Sequence, residues 1–386
     1  MNMPAVERTS IGFDEASPSH RFAADLLAEA DIQLNGDRPW DMQLKVPGVI
    51  DNALSRGNLG LGECYMNGDW DAERLDELFY NLMRAQLGRR IKPTQLVYHS
   101  LRARLLNRQT AKRAWEVGEK HYDLGNEFYA AMLDQRMTYT CGYWKDAQTL
   151  DEAQEAKLDL ICRKLELKPG MRVLDIGCGW GSFMAYAAEH YGVECVGLTI
   201  SKEQAEFGQR LLKHGLPIEF RLQDYREETE QFDRIVSIGM FEHVGHKNYR
   251  EYMNVAHRCL KDDGLFLLHT IGKNIANTAT DPWIDKYIFP NGELPTLGQV
   301  ADAAEALFVV EDVHNFGADY DRTLMAWCDN FEASWPVFKE QFGEQFYRMW
   351  RYYLLSCAGA FRAREIQLWQ FVLSKPGIVG GYTRVS

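Results

Sequence analysis

Two kinds of hydrophobic pattern alternate along the chain from about residue 150 onward. Short, continuous apolar runs are followed by segments in which apolar side chains recur every three or four residues. The short runs predict buried strands, and the longer segments predict amphipathic helices. A regular alternation of strands and helices predicts a parallel sheet with helices on both faces, which is the doubly wound α/β class.

The predicted strands lie at residues 172–176, 194–200, 218–222, 233–238, 264–271, 308–315 and 367–373. The predicted helices lie at residues 150–165, 181–190, 201–213, 247–260, 320–341 and 344–362. A long insertion, residues 274–295, carries several aromatic side chains between the fifth and sixth of these strands.

The first 110 residues predict a smaller α+β domain, with the larger α/β domain occupying residues 111–386. In the smaller domain the pattern predicts helices at 22–30 and 73–87 and an alternating strand at 41–46. Between them lies the glycine-rich stretch 57–63. It lacks the Lys-Ser or Lys-Thr pair of a phosphate-binding loop, so it is interpreted as a turn.

A glycine loop after the first strand of the larger domain predicts a cofactor site. The strand ends in Asp175 and is followed by Gly177, Gly179 and Gly181. Alternate glycines allow a sharp turn and a close approach of the backbone to a ligand. A dinucleotide site would place an acid at the end of the second strand, and none is present there. The pattern therefore favours S-adenosylmethionine bound to a Rossmann-like domain.

Composition limits the classes that the chain can belong to. It has 386 residues, of which 46% are hydrophobic and 25% charged, as in ordinary globular proteins. No apolar run reaches the length of a membrane span, and the N-terminus lacks the pattern of a secretory signal. The eight cysteines are scattered without C-x-x-C spacing, which indicates a reducing cytosol rather than zinc or disulfides.

A basic band interrupts an otherwise acidic chain. The net charge is −12, yet the segment from Arg84 to Lys120 contains ten Lys or Arg against two Glu. Leucines recur at helical spacing among Arg102, Arg104 and Arg108, so one interpretation is an amphipathic helix lying on anionic lipid. The alternative is an interdomain helix with solvated charges. The acidic remainder argues against a nucleic-acid partner.

Several local strings, in this order and spacing, resemble one family. They are Lys120–Asn126, Thr138–Cys141, Gln223–Arg226, Gly239–Gly245, His269–Gly272, Phe316–Tyr320 and Cys357–Arg362, together with the glycine loop. Over essentially its whole length the chain closely resembles the bacterial cyclopropane-fatty-acyl-phospholipid synthases. This resemblance implies transfer of a methylene from S-adenosylmethionine to the cis double bond of an unsaturated phospholipid acyl chain. It also implies a homodimer on the inner face of the membrane.

The resemblance also implies how the reaction is carried out. A bound bicarbonate ion takes the proton, and the matching positions that hold it are Cys141, Glu242, His269, Ile271 and Tyr320. An aromatic face attracts the carbocation formed on the acyl chain, and Tyr320 suits that role, with Tyr139 and Phe241 as lesser candidates. Phe241 is more simply interpreted as a core residue.

Cys357 matches a cysteine assigned to the family's active site. Nothing in this chemistry requires a thiolate, and its surroundings are those of a residue packed between helices. Substitution of Cys357 is therefore expected to impair activity rather than abolish it.

The cofactor would be held by residues at the ends of successive strands. Gly177 and Gly179 are expected beneath its amino-acid part, and Tyr139 and Thr140 are expected to close the pocket. Thr140 stands where relatives usually carry Ser. The complete predicted set is Tyr139, Thr140, Asp175, Gly177, Gly179, Gly181, Thr199, Gln204, Gln223 and Asp224.

Three rival functions remain open from the residues alone. A small-molecule amine N-methyltransferase would share the fold and the Glu242–His243 pair, but not the N-terminal domain or the basic band. A lipid-binding protein with a decayed catalytic domain would not need the polar residues that are still present. A nucleic-acid methyltransferase is the poorest fit to the acidic body. A methyl or methylene branch would arise from the same cation as a cyclopropane ring.

Overall fold

The computed structural model describes residues 18–86, 124–211, 215–276 and 280–386. The predicted basic helix of the band and the boundary at 110/111 lie outside these ranges. The strands are β1 (Gln43–Leu44), β2 (Trp70–Asp71), β3 (Arg172–Ile176), β4 (Glu194–Thr199), β5 (Ile218–Leu222), β6 (Phe232–Ile238), β7 (Leu260–Lys273), β8 (Val309–Asn315) and β9 (Ile366–Ser374). The helices are α1 (Pro18–Ala28), α2 (Val49–Arg56), α3 (Asn58–Met66), α4 (Leu75–Arg84), α5 (Asn126–Met132), α6 (Leu150–Lys164), α7 (Ser182–Tyr191), α8 (Lys202–Leu211), α9 (Tyr249–Cys259), α10 (Pro282–Tyr287), α11 (Leu297–Ala304) and α12 (Asp319–Arg362).

The main sheet of the described chain has seven strands in the order β5-β4-β3-β6-β7-β9-β8. Neighbours from β5 to β7 are parallel, whereas β9 is antiparallel to both β7 and β8. The α/β prediction is therefore confirmed, with the correction that the sheet is not wholly parallel. The strand order reverses between β3 and β6, and ligands bind outside the carboxyl ends of strands at such a point.

The N-terminal helices pack directly on the last long helix. Gly359 of α12 lies so close to α4 that an added Cβ would be 2.7 Å from the carbonyl oxygen of Asp76. Arg362 donates to the buried Asp76 carboxylate at 2.8 Å and to Asp321 at 2.8 Å. The rings of Tyr65 and Tyr352 lie 5.4 Å apart in one continuous core. The described N-terminal residues thus share a core with the larger α/β region.

The predicted break between two C-terminal helices is present. Within α12, Gly343 has φ 75° and ψ 171°, values outside the helical region. A positive φ is accessible to glycine because it has no Cβ. The chain therefore turns at Gly343, and the two predicted helices are the two arms of α12.

The interpretation of residues 57–63 as a turn was wrong. Most of this stretch belongs to α3, and its glycines serve helix packing. A Cβ on Gly60 would lie 2.3 Å from the carbonyl oxygen of Asn52 in α2, and one on Gly62 would lie 2.5 Å from Trp283. The local composition favoured a turn. The glycines are instead required because the helix packs so closely on its neighbours that no side chain fits at these positions. The strand predicted at 41–46 is also shorter, because only two residues pair.

Replacing Gly60 with alanine is expected to destabilise the protein. In an open helical position this change stabilises by about 1 kcal/mol, because alanine has the higher helix propensity. At Gly60 the new Cβ would collide with backbone, and overpacking of this kind costs about 1–3 kcal/mol. Urea unfolding would measure the change. The control is Gly298→Ala in α11, where a Cβ meets nothing closer than 3.9 Å; equal effects of the two variants would contradict the argument.

The insertion after β7 joins the N-terminal region to the carboxyl edge of the sheet. It contains α10, whose Trp283 is fully buried with its ring 4.5 Å from that of Tyr352. Asp281 caps this short helix and accepts a hydrogen bond from the Asn58 amide at 2.9 Å. Further along, the backbone N–H of Glu293 donates to the carbonyl of Glu242 at 2.8 Å. The insertion thereby covers part of the carboxyl edge of the main sheet.

Candidate active site

A cavity of about 910 Å³ lies at the carboxyl edge of the main sheet. Its wall includes the glycine loop after β3 and the polar residues that follow β4, β5, β6 and β7. Helices α1, α2 and α4 contribute a mostly apolar wall to the same cavity. A single space therefore adjoins both a polar loop suited to a cofactor and an apolar surface suited to hydrocarbon.

The glycine loop has the geometry that its sequence predicts. Gly177, Gly179 and Gly181 have φ values of 85°, 55° and 86°. A Cβ on Gly177 would lie 2.6 Å from the side chain of Met240, so this position is crowded as well as turned. Gly177 and Gly179 line the cavity, whereas Gly181 caps the start of α7 and is not part of the wall. The structure thus brings two of the three predicted glycines to the cavity.

A buried charged cluster supports this loop from below. Asp175 is 2% exposed, and burial raises its pKa to about 7 although Lys157 opposes the shift. Lys157 is fully buried in α6, where desolvation lowers its pKa to about 8 and Asp134 opposes that change. Its ammonium donates to the Thr140 hydroxyl at 2.8 Å. Lys157 was not predicted from the sequence, although it holds a predicted cofactor residue in place.

The predicted cofactor residues that follow β4 and β5 lie along the cavity beyond the loop. The Thr199 hydroxyl donates to the Gln204 side-chain oxygen at 3.3 Å, and both residues line the cavity. The Asp224 carboxylate accepts from the backbone N–H of Arg226 at 2.9 Å and from its guanidinium at 2.8 Å. Gln223 and Asp224 also line the wall. The ends of β4 and β5 therefore supply the polar groups expected for a nucleoside.

Tyr139 belongs to a group of aromatic side chains beside the cavity. Its hydroxyl lies 3.0 Å from that of Tyr353, and its ring lies 5.2 Å from Trp327. Tyr320 stacks on Phe361 with ring centroids 4.5 Å apart and meets the edge of Trp327 at 5.9 Å. Several aromatic faces thus surround the place where Tyr320 lines the cavity. Tyr353 was not predicted from the sequence.

Phe241 packs away from this group. It is fully buried, stacks on Tyr249 at 4.2 Å and does not line the cavity. Its ring also contacts Tyr252 edge-on at 5.2 Å. The simpler interpretation of Phe241 as a core residue fits this position, whereas a contact with a cation does not.

Glu242 lies in a one-turn helix that follows β6. Burial raises its pKa to about 7, and a hydrogen bond from the Ile271 N–H at 2.7 Å to Oε1 opposes the shift. The neighbouring Thr270 hydroxyl donates to the carbonyl of Ile271. Oε2 is buried and has no hydrogen-bond partner among the described residues. A buried acceptor without a partner is costly, so this oxygen indicates a ligand.

His269 lies at the same edge of the main sheet, in the adjacent strand β7. It is 1% exposed and lines the cavity, and burial lowers its pKa well below the usual value. Its Nδ1 lies 3.2 Å from the side-chain nitrogen of Gln370, a residue that was not predicted from the sequence. Within the described chain its Nε2 has no hydrogen-bond partner.

The two predicted cysteines differ in position. Cys141 is fully buried, donates to the carbonyl of Gly142 at 3.2 Å and does not line the cavity. Cys357 is partly exposed and lines the cavity, yet burial raises the pKa of its thiol to about 12. Neither thiol is activated as a nucleophile, because the thiolate is disfavoured at both positions.

Other classes of site are not evident in the described parts of the chain. No helix there is long and apolar enough to cross a bilayer. Over the same residues, no group of three or more His, Cys, Asp or Glu is placed to hold a metal ion.

Comparison with solved structures identifies the class of protein. A mycolic acid cyclopropane synthase, CmaA1, solved in complex with SAH and CTAB, superposes with a TM-score of 0.64 at 38% identity. That match covers 68% of this chain and 98% of the other. Coclaurine N-methyltransferase gives a TM-score of 0.69 at 24% identity, over 82% of this chain and 99% of the other, which shows the fold alone. The fold and the glycine loop define an S-adenosylmethionine-dependent methyltransferase.

The family follows from the sequence comparisons. The sequence profile of the family described as mycolic acid cyclopropane synthetase matches residues 109–371. A cyclopropane-fatty-acyl-phospholipid synthase of Escherichia coli (strain K12) is 52% identical over 99% of both chains. Cyclopropane mycolic acid synthase 1 of Mycobacterium tuberculosis is 38% identical over 67% of this chain and 96% of its own length. The chain belongs to the cyclopropane synthase family.

Proposed function

We propose that the protein transfers a methylene from S-adenosylmethionine to the cis double bond of an unsaturated phospholipid acyl chain. The product is a cyclopropane acyl chain. In this proposal a bound bicarbonate ion receives the proton that must leave before the ring closes. We also propose that the enzyme acts as a homodimer in the cytoplasm, on the inner face of the membrane.

The observation that carries this proposal is the shared cavity. The polar end of its wall contains the glycine loop and Glu242, while α1, α2 and α4 contribute Leu26, Ile50, Leu54 and Leu82. Hydrocarbon is favoured in such a space because apolar surface is removed from water. CTAB, the ligand of the CmaA1 structure, is itself a long-chain amphiphile. The family profile begins at residue 109, whereas the match to the E. coli phospholipid synthase covers 99% of both chains and so includes the N-terminal residues. This shared N-terminal region favours phospholipid as the substrate.

The residues present fit a bicarbonate ion. Glu242 Oε2 is an acceptor and His269 Nε2 a potential donor, and both are buried without a partner in the described structure. Tyr320 lines the same cavity. Bicarbonate carries one O–H group together with anionic oxygens, so it can donate to a carboxylate and accept from an imidazole or a phenol. When bound, it would supply a base of moderate strength. The other two residues of the predicted bicarbonate set have partners within the protein. The Ile271 N–H donates to the Glu242 carboxylate, and the Cys141 thiol donates to the carbonyl of Gly142.

The chain itself positions the reactants and stabilises charge. An alkene attacks a sulfonium methyl without an enzyme nucleophile, so orientation and stabilisation of the carbocation on the acyl chain remain to be supplied. Tyr320 offers an aromatic face in a dry site, where attraction of a cation is worth about 2 kcal/mol. Glu242 is held by the Ile271 N–H and keeps its second oxygen for the proton acceptor. Closely packed side chains exclude water that would capture the cation.

The test is mass spectrometry of acyl chains after incubation of the protein with S-adenosylmethionine and vesicles of unsaturated phospholipid. We expect a mass gain of one CH2 with loss of the double bond. A gain of CH2 with an alkene retained would mean that a different proton is lost from the same cation. No gain on lipid, together with methylation of a soluble amine, would overturn the proposal in favour of an amine N-methyltransferase.

Membrane association should depend on the basic band. Replacing Arg102, Arg104 and Arg108 with glutamine is expected to weaken binding to anionic vesicles, because each charge contributes about 1 kcal/mol near such a surface. Sedimentation with vesicles at low and high salt would measure the loss, since salt screens the attraction. The control is the same variant assayed on lipid dispersed in neutral detergent. Unchanged vesicle affinity would assign the band to an interdomain role.

A further inference from the structure

His269 and Gln370 face each other across two antiparallel strands. His269 lies in β7 and Gln370 in β9, and the strand register pairs their Cα atoms. Both side chains are buried, at 1% and 0% exposure. The Gln370 side-chain nitrogen lies 3.2 Å from His269 Nδ1, and the Phe316 ring meets the imidazole edge-on at 5.9 Å. The imidazole is therefore fixed in orientation by two neighbours.

This contact determines where the imidazole carries its proton. An amide nitrogen can only donate, so with the Gln370 amide oriented as it is in this structure His269 Nδ1 accepts and the single proton of the neutral ring lies on Nε2. The ring is held neutral, because burial lowers the pKa of His269 well below its usual value. Among the described residues no group accepts a hydrogen bond from Nε2, and the residue lines the cavity. Nε2–H is thus a donor reserved for a ligand.

We propose that Gln370 is a positioning residue that holds His269 in the Nε2–H tautomer, so that the imidazole donates to the anion bound beside Glu242. This inference rests on the proposed function. It explains why a glutamine occupies a fully buried place in a central strand, where an apolar residue would cost less. It also makes Glu242 Oε2 and His269 Nε2 complementary, with one accepting and the other donating. Bicarbonate is a small anion whose O–H and O⁻ groups match that pair.

The tautomer can be measured directly. Nitrogen-15 NMR of histidine-labelled full-length protein distinguishes a protonated Nε2 from a protonated Nδ1, and His269→Asn assigns the signal. We expect Nε2–H in the wild-type protein. In Gln370→Glu the carboxylate can only accept, so the proton should move to Nδ1. A wild-type signal from Nδ1–H, or a tautomer unaffected by Gln370→Glu, would overturn the inference.

A second variant separates positioning from folding. Gln370→Met fills the same space without a donor, so the ring should populate both tautomers. Because only a fraction of the rings then carries the proton on Nε2, the KM for bicarbonate should rise by the inverse of that fraction, roughly two- to tenfold. Calorimetric affinity for SAH should stay unchanged, and saturating bicarbonate should restore turnover. A fall in kcat that bicarbonate cannot rescue would instead indicate damage to the fold.

The lipid product and the tautomer of His269 are measured independently, so either prediction can fail without the other. If the wild-type protein forms cyclopropane lipid but His269 is protonated on Nδ1, the tautomer assignment fails and the function stands. If no lipid product forms while NMR reports Nε2–H and the shift in Gln370→Glu, the function fails and the positioning by Gln370 stands.

Discussion

Replacing Glu242 with glutamine is expected to lower kcat by roughly 10²- to 10⁴-fold, the usual contribution of proton transfer by positioned groups. Glutamine keeps the size of the side chain but removes the carboxylate that would hold the proton acceptor. Affinity for S-adenosylmethionine should be nearly unchanged, because Glu242 lies beyond the glycine loop and contacts Ile271. Calorimetry would measure cofactor affinity, and mass spectrometry of the lipid would measure turnover.

The matched control is Glu227→Gln. It makes the same change at an exposed glutamate and should leave turnover and cofactor affinity unchanged. A Glu242→Gln enzyme with wild-type turnover would contradict the role of this carboxylate. A variant that loses cofactor affinity and turnover together would indicate that Glu242 supports the fold of the site rather than the chemistry.

The same carboxylate predicts a pH dependence. Burial raises the pKa of Glu242 to about 7, so activity that needs the ionised form should rise with pH through about 7 in kcat/KM. The cofactor is a cation, and a nearby positive charge favours the ionised carboxylate. The rise of kcat with pH, which is the acid limb of the profile, should therefore occur at lower pH than the rise of kcat/KM. The limb should be absent from the residual activity of Glu242→Gln. Its persistence there would assign it to another group.

Much of the cavity wall could be predicted, because strand ends in a parallel sheet meet at one edge of the sheet. Asp175, Thr199 and His269 are far apart in sequence, yet Asp175 and Thr199 lie at the carboxyl ends of their strands and His269 lies in β7 beside the end of β6, so all three line one cavity. Local rules sufficed here because they concern the strand and the turn that follows it. The positive φ of Gly177 is a local property of the same kind.

Other features depend on contacts that local patterns do not encode. Lys157 lies in an amphipathic helix whose sequence resembles any solvated charged helix, and its burial follows from the position of α6 beneath the loop. Gln370 lies 101 residues from its partner His269, in the antiparallel strand that interrupts the predicted parallel order. The glycines of α3 are explained by α2 and Trp283, neither of which could be placed from sequence. In each case tertiary packing overrides local composition.

Replacing Lys157 with methionine is expected to destabilise the protein by about 1–3 kcal/mol, the usual cost of leaving buried polar groups without a partner. Methionine fills the space of the alkyl chain but leaves Asp134 and Asp175 without the cation that favours their ionised forms. The Thr140 hydroxyl also loses its donor. Affinity for SAH should fall about tenfold, since one hydrogen bond that orders the cofactor wall is lost. Urea unfolding and calorimetry measure the two effects.

Two comparisons test whether charge, rather than shape, explains the loss. Lys168→Met removes an exposed lysine just beyond the same helix and should change neither stability nor affinity. Adding Asp175→Asn to Lys157→Met should recover part of the stability, because the uncompensated buried acid is then gone. A double-mutant cycle gives the coupling between the two residues. Strict additivity would show that Lys157 and Asp175 do not interact and would sink the explanation.

The pH dependence of stability provides an independent measure of the same cluster. Burial lowers the pKa of Lys157 to about 8 from 10.5, so between these values the unfolded chain binds more protons than the native protein. Stability should therefore gain a contribution that rises with pH over that window. Lys157→Met should lack this contribution, whereas Lys168→Met should retain it. The ammonium is thus charged at neutral pH, at a cost that its neighbouring carboxylates offset only in part, and its hydrogen bond keeps Thr140 fixed beside the glycine loop.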